Sequence, residues 1–334
     1  MKNILIFGGT GQLGVSLCRR LSRDFTLTVL TRNTHQKAYR LKTSANAGYL
    51  SIVEGSIFDE NKIRDLVGKS QIVINLVGVL DEKNKANSFE NVHTKFPYLL
   101  SKICFDYKIE QFIHVSALGI EKAIDSKYAK TKLNGEKLIR ENFPKATIIK
   151  PSIIFSVSDQ LTTRFMSLLS LLPVFPLYYG GRTKFSPIHV SDVAELIFYI
   201  ITNELIAKKI EAIGPEILTF KEIIQILLKC INKKRILLPI PLPIAKLTAL
   251  FFQLFRNPLL TLDQLRLLNP EYPNIKSDGG KTNFDIGCPS KLFFEETVKS
   301  YSFNWRTGGQ FSINKNPPGC LYLKLFLTNL VGSL

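Results

Sequence analysis

The chain has 334 residues, 45% apolar and 21% charged, an ordinary globular composition with length for one large domain or two packed ones, which excludes disorder as the starting expectation. Lysines and arginines number 44 against 27 acids, and the formal charge of +17 suits phosphate groups or acidic lipid; the positive residues are dispersed, with no zinc-finger spacing, RNA-binding aromatic signature or long basic run, so no nucleic acid is expected. Cys18, Cys104, Cys230, Cys288 and Cys320 are widely spaced and odd in number, and His35, His93, His114 and His189 form no ligand motif, so reduced thiols and no metal are expected.

Met1-Lys2-Asn3 runs directly into a strand-like segment, so no secretory leader is expected, and no apolar run reaches the roughly 20 residues of a membrane span. The expectation is a chain that is soluble or peripheral to a membrane. The first strand, Asn3–Phe7, leads into Gly8-Gly9-Thr10-Gly11-Gln12-Leu13-Gly14 and then an amphipathic helix. In that setting Gly8 permits a tight turn, Gly11 admits a pyrophosphate to the helix amides, and Gly14 lets the helix pack closely. The second strand, Thr26–Thr31, ends in Arg32-Asn33 with Lys37 nearby and no acid. A guanidinium there complements a 2′-phosphate, so NADP(H) is expected ahead of NAD(H).

Further strands are predicted at Leu50–Glu54, Ile72–Leu76, Phe112–Val115 and Thr147–Lys150, with the longest helices at Asn91–Tyr107 and Lys127–Asn142. Strands alternating with helices give an α/β class: a Rossmann doubly wound parallel sheet over residues 1–150. Tyr128 and Lys132 share a helix face, where an ammonium beside a phenol favours the phenolate and lets it exchange a proton with a carbinol. Tyr98 and Lys102 repeat the spacing; position decides for Tyr128, which follows the fifth strand toward the cofactor crevice.

Pro151 stops regular structure, and residues 151–311 are assigned to a smaller C-terminal α/β lobe with segments returning to the sheet. Asp192 and Glu195 have the form of a capping box, a structural role. The segment Leu237–Leu260 carries three prolines into a short apolar helix edged by Lys246 and Arg256, either buried or facing a membrane or partner. The tail, residues 312–334, has the same character and is a candidate docking segment.

The glycine turn, Asn75-Leu76-Val77-Gly78, Asn91-Val92-His93-Thr94 and Tyr128 with Lys132 resemble an extended or atypical short-chain dehydrogenase/reductase, of the kind that includes sugar-nucleotide epimerases and dehydratases. Lys150-Pro151-Ser152-Ile153-Ile154-Phe155, Gly180-Gly181-Arg182-Thr183-Lys184-Phe185, Pro187-Ile188-His189-Val190-Ser191-Asp192-Val193, Gly214-Pro215-Glu216-Ile217-Leu218-Thr219-Phe220 and Trp305-Arg306-Thr307-Gly308-Gly309-Gln310-Phe311 are similar to one subgroup. That subgroup is the nucleotide-binding accessory subunit of respiratory complex I and its bacterial relatives, and the similarity runs from Lys2 to about Phe311.

The resemblance implies cofactor contacts from Gly8, Thr10, Gly11, Gln12, Leu13 and Gly14, from Arg32 and Lys37, and from Ser56 and Ile57 near the adenine. Leu76, Val77, Gly78, Val115, Tyr128, Lys132 and Pro151 would line the rest, and Tyr128, Lys132 and Ser116 would be the catalytic set. It further implies complex I subunits and an inner-membrane surface or acidic lipid as partners, on the cytoplasmic or matrix side. Three features depart from the enzymes: Ser116 is followed by Ala117, Leu118 and Gly119, Ser156-Val157 replaces Gly-Pro, and Ser56 replaces an acid. The favoured function is therefore a structural or assembly subunit holding NADPH. The alternatives are an active NADP-dependent oxidoreductase or epimerase on a sugar-nucleotide, steroid-like or quinone-pathway substrate, and a redox-sensing regulator.

Overall fold

The computed structural model describes residues 1–34, 38–82, 86–159, 161–253 and 260–309. Through Pro151 the elements are β1 (Asn3–Phe7), α1 (Gln12–Leu21), β2 (Thr26–Thr31), α2 (Ala38–Lys42), β3 (Leu50–Glu54), α3 (Glu60–Gly68), β4 (Ile72–Asn75), α4 (Phe96–Asp106), β5 (Gln111–Val115), α5 (Lys127–Asn142) and β6 (Thr147–Pro151). Then come β7 (Ile154–Phe155), α6 (Thr162–Leu171), β8 (Val174–Tyr178), β9 (Lys184–Phe185), β10 (Ile188–His189), α7 (Val190–Thr202), β11 (Lys209–Ala212) and β12 (Leu218–Thr219). The order closes with α8 (Phe220–Cys230), β13 (Ile236–Ile240), α9 (Leu242–Phe252), α10 (Leu262–Leu267) and α11 (Phe294–Tyr301).

Seven strands form one parallel sheet in the order β11-β6-β5-β4-β1-β2-β3. Its central strands are buried on both faces, as βαβ crossovers require, so they appear in sequence as near-continuous apolar runs. Alternation along β1 divides the core: Ile4 and Ile6 face Leu17 and Leu21 of α1 and Val193 and Ile197 of α7, whereas Leu5 and Phe7 face Ile63, Phe96 and Leu100. The sheet thus extends past residue 150, since β11 joins it beside β6, and Glu211 bridges on to Thr282.

Two local expectations change. The helix predicted from Asn91 opens one residue earlier as a π-helical turn, Glu90–Lys95, before α4, a form often found beside functional sites. The Asp192–Glu195 capping box does not form: α7 begins at Val190 because His189 holds the extended cap conformation, and its ring accepts from Ser191 N at 3.3 Å. Asp192 instead accepts from Lys291 N and Leu292 N at 3.1 Å each, and Glu195 pairs with Arg20 at 2.6 Å. Asp192 remains structural, tying the start of α7 to the segment that leads into α11.

The smaller lobe has its own core, in which Phe155, Met166, Phe175, Phe220, Leu227 and Phe294 meet. Against it, β13 and α9 carry the segment left open between burial and interface. Ala245 and Ala249 pack inward, but Ile244, Leu247 and Leu250 are 52%, 67% and 52% exposed, and Ile236 and Leu238 on β13 are 65% and 51% exposed. The apolar face therefore points outward. Arg256 and the tail lie outside the described residues, among which no helix is long and apolar enough to cross a membrane.

Lys150 of β6 is fully buried. Its ammonium contacts the Glu121 carboxylate and lies 3.2 Å from Glu136, while Lys209 of β11 reaches Glu121 at 2.8 Å. A buried ammonium is tolerable only when its partners are complete. Lys150→Ala is therefore expected to lower stability in urea unfolding by about 3–5 kcal/mol, because Glu136 keeps its burial and loses its cation. Lys150→Met combined with Glu136→Gln is expected to recover most of that loss.

Candidate functional site

The turn after β1 is shaped by close backbone approach. Gly8 has φ +81, and a β-carbon on it would lie 3.0 Å from the carbonyl carbon of Leu76, at the end of β4. Gly11 N donates to Gly8 O at 3.1 Å, closing the turn, and Gly11 itself caps α1 in extended conformation. No side chain fills the cap, and the first turn of α1 carries no acid. A β-carbon on Gly14 would meet the Cα and O of Gly9 at 2.4 Å. The glycine at 14 thus seats the helix on the turn itself rather than on the strand, and Gly9, which the sequence reading left without a role, would in turn meet Val29 Cγ1 at 2.6 Å. Beside these amides the Gln12 Nε2 is buried without a protein partner. Uncapped amides, a helix N-terminus and an orphaned donor are chemistry suited to a diphosphate.

The neighbouring strand ends converge there. The register pairs Phe7 with Leu30, so Arg32, directly after β2, stands next to the turn; its Nη1 donates to Asn87 Oδ1 at 2.9 Å. Lys37 lies outside the described residues. After β3, Ser56 Oγ accepts from Phe58 N at 3.2 Å, and Ile57 packs on the core beneath. Asn75 holds the end of β4: its Oδ1 accepts from Val77 N at 3.0 Å and its Nδ2 donates to His114 Nδ1 at 3.1 Å. Burial, and secondarily the Lys132 charge, push the His114 imidazole down to about 3, which keeps that nitrogen an acceptor. A β-carbon on Gly78 would lie 3.5 Å from Lys132 Nζ and 3.8 Å from His93 Nε2, so the β4 loop and α5 face one another across a narrow gap.

On α5, Ser126 caps the helix by accepting from Ala129 N. Tyr128 lies edge-on to Phe89 and His93, with centroids 5.8 and 5.2 Å away, and Lys132 Nζ is 5.9 Å from the phenol ring. Lys132 Nζ also donates to Val115 O at 3.3 Å. Burial, opposed by Glu136 and aided by Lys150, brings the Lys132 ammonium down to about 8. Burial raises the Tyr128 phenol, and the Asp263 carboxylate raises it further. Ser116 is buried and donates to the Glu136 carboxylate, one turn beyond Lys132. Pro151 closes β6, its carbonyl accepting from Leu118 N at 2.9 Å. The second Tyr/Lys pair is elsewhere: Tyr98 and Lys102 are exposed on α4.

The structure thus gathers the glycine turn, Arg32, the β4 loop, Tyr128 and Lys132 along the carboxyl edge of the sheet. It turns Ser116 away toward Glu136, and it adds Phe89, Glu136 and Asp263. Phe89 had a weak sequence signal, an aromatic just before the Asn91 helix; Asp263 had none, because its partners lie 135 to 137 residues away. Among the described residues no group of three or more His, Cys, Asp or Glu is placed to hold a metal ion.

Residues 4–214 match the model of the NAD dependent epimerase/dehydratase family. The chain is 27% identical over 282 residues to the NADH-ubiquinone oxidoreductase 40 kDa subunit, mitochondrial, of Neurospora crassa, spanning 82% of this chain and 74% of that protein. It is 26% identical over 318 residues to NADH dehydrogenase (ubiquinone) 1 alpha subcomplex subunit 9, mitochondrial, of Dictyostelium discoideum, spanning 93% and 87%. Over the similar subunit of Arabidopsis thaliana it spans 61% of that protein's length. Among solved structures, dTDP-glucose 4,6-dehydratase of Bacillus anthracis in complex with NAD superposes with a TM-score of 0.68 at 12% identity, over 91% of this chain and 96% of that one. Sheet order, glycine turn and matched span agree with one another: the chain belongs to the NAD dependent epimerase/dehydratase family.

Proposed function

We propose that the chain holds NADP(H) as a structural or assembly accessory subunit of respiratory complex I. The observation that carries the cofactor half is Arg32. It is the side chain that follows β2, beside a turn whose amides no side chain caps, and Asn87 steers its guanidinium. A planar fork of donors there favours a 2′-phosphate over a free hydroxyl. The partner half is supported by the similarity to mitochondrial NADH-ubiquinone oxidoreductase subunits and by the outward apolar face of β13 and α9. With Lys234 and Lys246 exposed at its margins and a net charge of +17, that face suits an acidic lipid surface beside the complex.

Holding rather than turnover is supported by the surroundings of Tyr128. An ionisable phenol useful near neutral pH needs its pKa lowered, and here burial and Asp263 act the other way. The Ser116 hydroxyl, which a substrate oxygen would need, is engaged by Glu136. The second reading, an NADP-dependent oxidoreductase or epimerase, is favoured by one observation: Tyr128 and Lys132 stand on one face of α5, toward the β4 loop.

Arg32→Glu is expected to weaken NADPH binding by about tenfold to a hundredfold in calorimetry, the loss of a charge-assisted contact, while NADH binding is retained or improved. Equal loss for both nucleotides would remove the NADP preference. Lys132 is a cation below about pH 8 and neutral above it, so NADPH affinity is expected to fall as pH rises from 7 to 9. Lys132→Met should bind less tightly at pH 7 and lose that slope. The functional test is purification of the tagged chain from its own cells. NADPH and complex I subunits are expected to accompany it, and added carbonyl compounds should not oxidise the nucleotide. Steady turnover abolished by Tyr128→Phe would establish the second reading instead.

A further inference from the structure

The N-terminal turn of α5 is held from outside its own domain. Among the first residues of α5 there is no acid to meet the positive end of the helix. Asp263, from α10, takes that place: its carboxylate accepts from Ser126 Oγ at 2.8 Å, Lys127 N at 2.8 Å and Tyr128 N at 3.1 Å. These amides belong to the group that a helix cannot satisfy by itself. The donor of this cap is itself fixed. Thr261 and Gln264 form a reciprocal capping box, with Gln264 N to Thr261 Oγ1 at 3.1 Å and Thr261 N to Gln264 Oε1 at 3.2 Å, which sets Asp263 in the first turn of α10.

The same short helix touches the opposite wall of the crevice, since Gln264 Nε2 donates to Leu80 O at 3.3 Å in the β4 loop. That loop returns to α5 through Glu82, which pairs with Lys127 at 2.7 Å. Below, Leu267, Tyr272 and Tyr128 itself pack against Ile120, Ala123 and Ala129. The start of α5, the β4 loop and α10 therefore form a closed ring of contacts that includes the Tyr128 main chain.

We propose that Asp263 is the positioning residue for the Tyr128 and Lys132 face of α5, setting the distance between that face and the β4 loop from the second lobe. Tyr128 is in the turn that the carboxylate holds, and Lys132 is one turn further along the same face. Releasing the cap lets the first turn fray and moves both groups relative to Gly78, where small displacements weaken a site that depends on preset geometry. The inference rests on the dinucleotide reading only for its affinity readout.

The charged or titratable groups facing Tyr128 are Lys132 on its own helix, His93 on the π-helical turn, Asp263 on α10 and Tyr272 beyond it. Of these Asp263 is the anion, and its removal favours the phenolate. The test uses the full chain with Asp263→Asn and Asp263→Ala. The resonance of carbon-13 label at Cζ of Tyr128, assigned by its loss in Tyr128→Phe, is recorded at pH 7, where it senses the placing of the ring against Phe89 and His93. Both variants are expected to shift and broaden that resonance relative to the parent chain. NADPH affinity should fall by about tenfold in Asp263→Ala, equivalent to the loss of one helix cap, and by less in Asp263→Asn, which keeps an acceptor oxygen. A residue that only stabilised the fold would lower the unfolding temperature and leave the Tyr128 resonance and the NADPH affinity in place. An unchanged resonance in both variants, with affinity within about twofold of the parent, overturns the proposal. If Asp263→Ala fails to fold, Asp263→Asn decides. If the parent chain binds neither dinucleotide, the cofactor reading fails and the Tyr128 resonance alone decides this one.

Discussion

The contact between Gly14 and Gly9, where an added β-carbon would lie 2.4 Å from main-chain atoms, fixes how closely α1 approaches the end of β1. That distance places the amide end of α1 beside the carboxyl ends of β1 and β4, and it presses Gly8 against Leu76. It also sets the plane in which α1 meets α7, whose Val193 and Ile197 complete one face of the core. A larger residue at position 14 would tilt the helix, separate its amides from the strand ends and open the sheet's apolar face to water together. Packing and ligand chemistry therefore share one constraint.

Electrostatics at the other wall of the crevice follow a second pattern. Lys132, Glu136, Lys150, Glu121 and Lys209 alternate in sign from α5 through β6 to β11, so each buried charge has an opposite neighbour. Ser116 is drawn into this row through Glu136 and away from the crevice. Tyr128 lies just outside it, with the Lys132 ammonium 5.9 Å from its ring and its amide held by the Asp263 carboxylate, which joins burial in raising the phenol. These surroundings are what the proposed holding role draws on: a strand-end crevice beside a phenol that burial and a carboxylate keep protonated.

The sheet was largely legible because its strands appear as β-branched runs, the central ones buried on both faces; β1, β2 and β3 start and stop at the predicted residues. The strand β11 was hidden, since Lys209-Ile210-Glu211-Ala212 resembles a half-exposed loop until Lys209 is seen to pair with Glu121 and Glu211 with Ser277. The glycine turn and Arg32 could be located because their chemistry is local to a strand end. Asp263 and Glu136 could not, because each acts across a tertiary contact that leaves no spacing in the chain; the His189 cap is local, two residues from Ser191, but histidine is not among the side chains that ordinarily mark a helix start. Composition foretold that Leu237–Leu260 is apolar, but only the orientation of Ala245 and Ala249 decides which side of α9 faces out.

The buried ammonium of Lys150 also governs how the strands can be assembled. In β6, Ile149 faces the core shared with α1 and α7, and the next residue, Lys150, faces the carboxylates of Glu121 and Glu136. Sliding β6 by one residue between β5 and β11 would drive a charge into that hydrocarbon layer and leave two carboxylates facing isoleucine. Neighbouring strands of similar β-branched composition are otherwise nearly interchangeable in alignment. A single lysine thus acts as a key that admits one registration of the sheet, and with it one alignment of the crevice above.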